Sequence, residues 1–205
     1  TDHIDLYWLH RDEPSRPVSE IMETLNDNVK KGKIRYPGCS NWLPDRIAEA
    51  NDYARAHSLI PFVGNQFEWS LARMFKPETP LDKLPYMDGE MYAFHKKTGM
   101  TAFAYSSQAH GFYTKLEKLG KDGISDDLKK FFLNERNLRA FDRIRKLSAE
   151  TGMTSTQISL AFINSQYDFV GVPIIFARTR EQFLDSMSAA DCRLTPGQVD
   201  FLLRE

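Results

Sequence analysis

Apolar residues along this chain follow two alternating periods, which predict strands and helices in regular succession. The first stretch, residues 4–10, is apolar at both odd and even positions, a pattern typical of a parallel strand buried on both faces. We therefore predict a central strand there. Residues 18–29 then carry apolar side chains at helical spacing, and Gly32 follows as a stop signal. The chain thus opens with one strand and one helix.

The same order repeats along the rest of the chain. Further strands are predicted over residues 34–40, 62–68, 100–105 and 170–175. Helices are predicted after Pro44, over about 87–98, over about 138–151, and after two capping boxes that begin at Thr154 and Thr195. No low-complexity linker divides the series.

Two polar segments interrupt this succession. A proline-rich segment through Pro77, Pro80 and Pro85 is predicted to be a loop. The polar stretch 106–134 has only scattered apolar residues, and we predict that it forms a lid or mobile loop.

Five strand and helix units in one array imply parallel strands in either an open doubly wound sheet or a closed barrel. An open sheet that binds a dinucleotide should carry Gly-x-Gly-x-x-Gly after its first strand, and the chain has no such motif. The pattern therefore favours an α/β fold, the (β/α)8 TIM barrel, as one domain over residues 1–205. A full barrel needs eight units and typically about 250 residues, so we expect a truncated barrel that lacks its first three units.

Composition narrows the classes of partner. The formal net charge is -1, so no basic field would attract nucleic acid or an anionic membrane. No apolar run approaches the roughly 20 residues of a membrane span and no secretory signal opens the chain, which predicts a cytoplasmic protein. Cys39 and Cys192 lack the spacing of a metal or redox motif, so we predict reduced thiols and no metal site.

Polar residues stand directly after the predicted strands. In a barrel these positions meet at one face, where the chemistry of the fold is found. Taken singly, each residue has a more common structural explanation, such as helix capping or a solvated surface charge. As a series they indicate one site, and its members are His10, Ser40, Asn41, Asn65, Gln66, Tyr105, Ser106, Ser107, Gln108, Ala177, Arg178 and Thr179.

The motifs that carry these residues resemble those of the aldo-keto reductase family. Asp-His-Ile-Asp-Leu-Tyr-Trp-Leu-His at residues 2–10 looks like that family's fourth barrel strand, residues 32–41 look like its fifth, and Gly-Asn-Gln at 64–66 looks like its sixth. Ala-Tyr-Ser-Ser-Gln-Ala-His-Gly at 104–111 is similar to its seventh-strand cofactor loop. The resemblance implies an oxidoreductase that uses NADPH, or NADH, to reduce the carbonyl of a small aldehyde or ketone.

The resemblance also implies roles for single residues. His10 would orient the substrate carbonyl as the active-site histidine, and Tyr105 would stack on the nicotinamide ring. Clamping the ring aligns it for hydride transfer, and a hydrogen-bond donor stabilises the carbonyl oxygen as it gains charge. Ser40, Asn41 and Gln66 would hold the carboxamide, and the implied remainder of the cofactor site is Ser106, Ser107, Gln108, Gly111, Ala177, Arg178, Thr179, Gln182, Asp185 and Ser186.

The chain departs from the family pattern in two respects. Ile175 and Phe176 stand where the family usually has Pro-Gly or Pro-Lys, and Ser186 replaces a usual Asn, which argues against tight phosphate binding there. The family's catalytic Asp, Tyr and Lys belong to the first three units, and no residue here matches them. Because a missing proton donor removes roughly two to four decades of rate, we expect this chain alone to have impaired activity or none.

Two other functions fit the same residues. One is a nucleotide-binding or assembly module of the same ancestry that does not catalyse a reaction. The other is an unrelated phosphate-binding barrel, for which Arg178 beside a helix start is the support. An incomplete barrel would also expose its first and last strands, which predicts self-association. The stretch 106–134, together with Trp42 and Trp69 near strand ends, is predicted to line an apolar substrate pocket.

Overall fold

The alternation of strands and helices is confirmed by the computed structural model, which describes residues 1–75 and 84–204. The strands occur in the sheet in the order β1-β2-β3-β4-β5. The β1/β2 and β2/β3 pairs are parallel, with Ile4 opposite Ile34 and Cys39 opposite Asn65. Closure into an eight-stranded barrel stays a prediction. The strands are β1 Ile4–Leu9, β2 Ile34–Ser40, β3 Gly64–Glu68, β4 Thr101–Tyr105 and β5 Gly171–Pro173.

The helices begin and end close to the residues that the sequence indicates. Both predicted capping boxes form, since Thr154 pairs with Gln157 and Thr195 with Gln198. Pro77 and Pro80 of the predicted proline-rich loop lie outside the described residues. The helices are α1 Val18–Lys30, α2 Pro44–Ala56, α3 Gly89–Thr98, α4 Phe112–Gly123, α5 Asp126–Phe132, α6 Glu135–Thr151, α7 Ser155–Asn164, α8 Arg180–Ser188 and α9 Pro196–Leu203.

The prediction of a lid or mobile loop over residues 106–134 is wrong, because most of this stretch is helical. α4 buries Phe112, Tyr113 and Leu116, and α5 buries Leu128 and Phe132. These apolar residues are few but lie at helical spacing, which is enough to attach a short amphipathic helix to a core. Because apolar residues are few in this stretch, its composition does not indicate the two helices.

The backbone forms two compact units. Among the described residues, the first comprises Thr1–Phe67 and Leu84–Phe103, and the second comprises the others. In the first unit α1 packs against both α2 and β2, and Met22, Cys39, Trp42 and Ile47 are fully buried in that core. Trp42 meets Phe62 edge to face at 5.1 Å between ring centroids. Trp42 is therefore a core residue, and the prediction that it lines a substrate pocket is wrong.

β1 is much more exposed than its apolar sequence predicts. Ile4 is 48% exposed and Tyr7 is 40% exposed. The strand pairs with β2, and no second strand of the described chain pairs with it. The prediction of a central strand buried on both faces is therefore wrong for these residues, because an apolar pattern shows what a strand can bury and not what covers it. Self-association through this edge stays a prediction.

In the first unit, the Trp8 ring lies close to the backbone of two glycines. A Cβ atom on Gly38 would lie 2.6 Å from Cε3 and Cζ3 of Trp8, and one on Gly64 would lie 2.6 Å from Phe103. Trp8 and Phe103 meet edge to face at 4.8 Å. The two glycines are required here because any side chain would occupy the space of these rings.

The second unit has its own aromatic core. Trp69 is buried against Phe162 and Phe169, with ring centroids 6.0 and 5.9 Å away, and Phe112 stacks on Phe132 at 5.7 Å. Because Trp69 is enclosed by these rings, it does not line a substrate pocket as predicted.

The side chains of two buried asparagines bind backbone atoms of loop residues. In the first unit Asn26 of α1 donates to the carbonyl of Ile60 at 3.1 Å and accepts from its N–H at 2.7 Å. In the second unit Asn137 of α6 binds Arg73 in the same way, at 2.8 Å to the carbonyl and 2.9 Å from the N–H. Each amide satisfies a donor and an acceptor of a non-helical segment.

Candidate functional site

The first unit brings together the predicted residues at the ends of β1, β2 and β3. His10 follows β1 directly and is exposed. The side-chain amide of Asn41 donates a hydrogen bond to the His10 carbonyl oxygen at 3.1 Å and a second to Ser40 Oγ at 3.0 Å. The backbone of His10 is therefore tied to the end of the neighbouring strand.

Gln66 closes this group from the third strand. Its carbonyl oxygen accepts from the Asn41 N–H at 2.9 Å and from Ser40 Oγ at 2.8 Å. Within the described part of the chain, the Gln66 side-chain amide makes no hydrogen bond and is half-buried. Asn65, next to it, is fully buried and donates to Met91 Sδ at 3.5 Å, so it has a structural role.

Asn41 adopts left-handed backbone, with φ of 60°. Asn tolerates this conformation better than other residues with a Cβ atom, which explains why the strand end carries Asn. The conformation turns the chain sharply after Ser40, as α2 begins at Pro44. The sequence motif thus encodes the turn as well as the polar group.

Two residues of this region were not predicted. Arg46 of α2 donates from Nε to Asp12 Oδ2 at 3.1 Å, and Asp12 lies two residues after His10. The partners are 34 positions apart, and no local pattern in the sequence indicates that they meet. Their burial would have been the signal, but burial depends on the tertiary fold.

The second unit brings together residues from β4, its following loop and α8. Ser107 is buried and donates to the carbonyl of Ile174 at 2.6 Å. Gln108 Nε2 donates to Ser186 Oγ at 2.8 Å. Tyr105 ends β4, where its carbonyl accepts from the Trp69 N–H at 3.2 Å. The loop after β4 is therefore anchored to the segment that leads into α8 and to α8 itself.

The loop after β4 has an unusual run of backbone conformations. Ser106, Ala109 and His110 have positive φ without being glycine, and Gly111 follows with φ of 76° before α4. Lys115 donates from Nζ to the His110 carbonyl at 2.9 Å. Strained residues of this kind persist where the surrounding structure holds them, and they cluster at functional sites.

The start of α8 holds the remaining predicted residues. Thr179 caps the helix by accepting from the Gln182 N–H at 3.2 Å, and Gln182 Oε1 accepts from the Arg178 N–H at 2.9 Å. Ala177 is half-buried beside them. The Arg178 side chain is exposed and has no ion-pair partner among residues 1–75 and 84–204. An unpaired cation next to a helix N-terminus favours an anion.

Three further features bear on this end of the chain. Phe176 is 77% exposed, so its ring extends into solvent. Asp185 accepts from Thr154 Oγ1 at 3.3 Å, so that carboxylate is directed to the cap of α7. Ser186 is buried and donates to the Gln182 carbonyl at 2.8 Å.

Other reactive groups do not supply a second site in the described residues. Burial raises the pKa of the Cys39 thiol well above its ordinary value, which keeps it protonated and a poor nucleophile. Residues 1–75 and 84–204 contain no group of three His, Cys, Asp or Glu side chains that could hold a metal ion. No helix in the same ranges has the length and apolar character to cross a membrane.

Comparisons with known proteins agree with these motifs. The model of the aldo/keto reductase family matches residues 1–202. The putative aryl-alcohol dehydrogenase AAD16 of Saccharomyces cerevisiae is 24% identical over 205 residues, which covers 98% of this chain and 56% of that protein.

The fold is shared with a solved structure. A thermostable aldo-keto reductase, Tm1743, solved with the inhibitor epalrestat, has a TM-score of 0.67 and 22% identity, over 99% of this chain and 60% of that one. The chain therefore spans a little over half the length of these relatives. Because the family match extends over nearly all of its residues, the chain belongs to the aldo/keto reductase family.

Proposed function

We propose that this chain takes part in NADPH-dependent reduction of an aldehyde or ketone carbonyl. The observation that supports it is the hydrogen-bonded group of His10, Ser40, Asn41 and Gln66 at three adjacent strand ends, in a member of this family. Chemistry in parallel α/β folds takes place at this end of the strands. The substrate would be a small molecule.

His10 is the proposed catalytic residue. Its exposed imidazole can approach a carbonyl oxygen, and the bond from Asn41 fixes its backbone. An N–H of the ring would donate to that oxygen, which becomes more negative as the carbonyl is reduced. A donor that is already in place lowers the barrier because nothing has to reorganise during the reaction.

The residues at the ends of β2 and β3 fit the polar group of a nicotinamide. A carboxamide presents one acceptor and two donors, and Ser40, Asn41 and Gln66 carry hydroxyl and amide groups of matching types. The side-chain amide of Gln66 is available for such a ligand. Tyr105 would lie against one face of the ring. When bound, the cofactor supplies the hydride.

In the second unit, the loop after β4 and the start of α8 fit a phosphate group of a dinucleotide. The exposed guanidinium of Arg178 and the N-terminus of α8, capped by Thr179, favour a dianionic group. The 2′-phosphate that distinguishes NADPH from NADH is such a group, so we propose NADPH as the cofactor, with NADH as the alternative. Asp185 bonds to Thr154 and is not proposed as a ligand. The other proposed contacts are Ser106, Ser107, Gln108, Gly111, Ala177, Gln182 and Ser186.

Cofactor binding is tested by titrating the chain with NADPH and following nicotinamide fluorescence. The double variant Asn41→Ala/Gln66→Ala should raise Kd by roughly tenfold or more, since each lost hydrogen bond contributes about 1 kcal/mol. Asn28→Ala serves as control, because the Asn28 side chain donates to the Thr24 carbonyl of its own helix. No binding at millimolar NADPH would contradict the proposal.

Catalysis is tested with a panel of aldehydes and ketones by following the loss of NADPH absorbance. His10→Ala should lower turnover far more than it weakens NADPH binding, because the residue faces the carbonyl. NADPH binding without any reduction would favour the alternative of a non-catalytic nucleotide-binding module.

A further inference from the structure

The loop that follows His10 is held by the start of α2. Arg46 donates from Nε to Asp12 Oδ2 at 3.1 Å, and its Nη2 donates to the carbonyl oxygen of Arg16. Its Nη1 donates to Glu49 on the same helix at 3.0 Å. One guanidinium therefore binds both ends of the segment 12–16, and the planar fork of Arg is suited to several partners at once.

This ion pair is enclosed, unlike the other ion pairs of the same unit. The side chains of Arg46 and Asp12 are only 16% and 13% exposed, whereas those of Arg55 and Asp52, also on α2, are 60% and 76% exposed. Asp12 Oδ1 is buried and has no hydrogen-bond partner in the described part of the protein. A buried carboxylate without its cation is unfavourable, so Asp12 depends on Arg46.

The guanidinium of Arg46 also packs on the ring of a core residue. Its Cζ lies 5.6 Å from the ring centroid of Trp42, which is fully buried. Burial opposes the charge of Arg46, but Glu49 and Asp12 outweigh it and raise the pKa of the guanidinium above its ordinary value. The cation is thus permanent and its position is set by the core.

Asn41 and Arg46 therefore bind the segment 10–16 at three points. Asn41 holds the carbonyl of His10, and Arg46 holds the carboxylate of Asp12 and the carbonyl of Arg16. Among the described residues, the His10 imidazole has no hydrogen bond of its own. The direction of that side chain is therefore determined by the backbone from which it extends.

We infer that Arg46 and Asp12 are positioning residues for His10. Their ion pair fixes the loop backbone, and the backbone presents the imidazole to the carbonyl that is reduced. The catalytic part of this inference rests on the proposed function; the structural part does not.

The structural part is tested by NMR on the full chain. Arg46→Gln should shift or broaden the backbone amide signals of residues 10–16 and the imidazole signals of His10. Arg55→Gln, which removes an exposed ion pair from the same helix, should leave these signals unchanged. If Arg46→Gln also leaves them unchanged, the inference is overturned.

The double variant Asp12→Asn/Arg46→Gln guards against loss of folding, because it removes both charges and leaves no buried ion unpaired. It should fold and should still show altered signals for His10, since a pair of amides cannot reproduce the several hydrogen bonds of the guanidinium. Parent-like signals in a folded double variant would count against the inference.

The catalytic part is tested by kinetics with NADPH and a carbonyl substrate. Arg46→Gln and the double variant should lower kcat about 10- to 100-fold, the range expected when a reacting group is misplaced, with NADPH Kd within about twofold of the parent. The kcat of Arg46→Lys should lie between those of the parent and of Arg46→Gln, because lysine keeps the positive charge and loses the contact with the Arg16 carbonyl. An unchanged kcat overturns the positioning role. Because impaired activity or none is expected of this chain alone, absence of turnover in the parent favours the non-catalytic alternative, and the NMR result then decides the inference.

Discussion

Asn41 reaches across a strand boundary to His10, with 3.1 Å between its side-chain nitrogen and the His10 carbonyl oxygen. The bond joins the ends of β1 and β2, which are parallel neighbours. Because Asn41 also has left-handed backbone, its side chain leaves the turn in a direction that a right-handed residue would not allow. The geometry of the turn and the anchoring of His10 are therefore properties of one residue.

Replacing Asn41 with Ala should lower the free energy of unfolding by about 2 kcal/mol, because the variant loses the side-chain hydrogen bonds to His10 and Ser40 and places Ala in a left-handed conformation. Asn41→Gly should lower it less, since glycine adopts positive φ without strain. Urea unfolding measures both. Ser58, with φ of 56°, is the control: Ser58→Gly should stabilise the chain. Equal stabilities for Asn41→Ala and Asn41→Gly would show that the backbone conformation costs nothing.

Gly38→Ala should destabilise the first unit by about 1 to 3 kcal/mol, because the new methyl group would lie 2.6 Å from the Trp8 ring. Trp8→Leu in the same chain should recover part of this loss by making room. Thermal unfolding followed by circular dichroism gives the comparison. Gly197→Ala is the matched control, since nothing lies within 4 Å of a Cβ atom there. A neutral Gly38→Ala would mean that the Trp8 ring moves freely.

Asn137→Ala should cost about 2 kcal/mol of stability, because it removes the hydrogen bonds of this buried amide to the N–H and carbonyl of Arg73 and to the carbonyl of Phe132. Asn137→Asp should be nearly as harmful, since a carboxylate accepts from the Arg73 N–H but cannot donate to the two carbonyls. Urea midpoints and amide hydrogen exchange of residues 71–75 measure the effect. Asn28→Ala, which removes a local bond within α1, should change the midpoint little. Comparable losses for positions 28 and 137 would contradict the anchoring role of Asn137.

Stability should fall with acid through His95. Burial lowers the pKa of His95 below its ordinary value of 6.5, and the hydrogen bond to the Met100 carbonyl at 2.7 Å opposes this only in part. The unfolded chain therefore binds the proton first as the pH falls. The contribution of neutral His95 is complete above pH 6.5 and is lost as the pH falls through 6.5 towards the lower folded pKa.

His95→Gln should flatten the dependence of the urea midpoint on pH between about pH 7.5 and 5. His57→Gln, at an exposed position, should retain the slope of the parent. An unchanged slope in His95→Gln would show that another group is responsible.

Much of the fold could be predicted because its signals are local. β2 begins and ends at the predicted residues, and the capping boxes at Thr154 and Thr195 form as the sequence indicates. The grouping of His10, Asn41 and Gln66 also follows from local information, since each residue stands at a strand end and parallel strands end on the same side.

The rest depends on which elements meet. The exposure of Ile4 and Tyr7 could not be predicted, because apolar spacing is the same in a covered and an uncovered strand. The contact between Asp12 and Arg46 joins positions 34 apart in the sequence, and only the fold shows that both are enclosed.

The side chains of Asn26 and Asn137 bind only backbone atoms of the loop residues Ile60 and Arg73. The side chains at positions 60 and 73 take no part in these bonds, so either residue can mutate without loss of the anchor. A substitution at position 60 or 73 that keeps the backbone N–H should therefore leave the path of its loop unchanged, so the surface chemistry of these loops can be altered without loss of the fold.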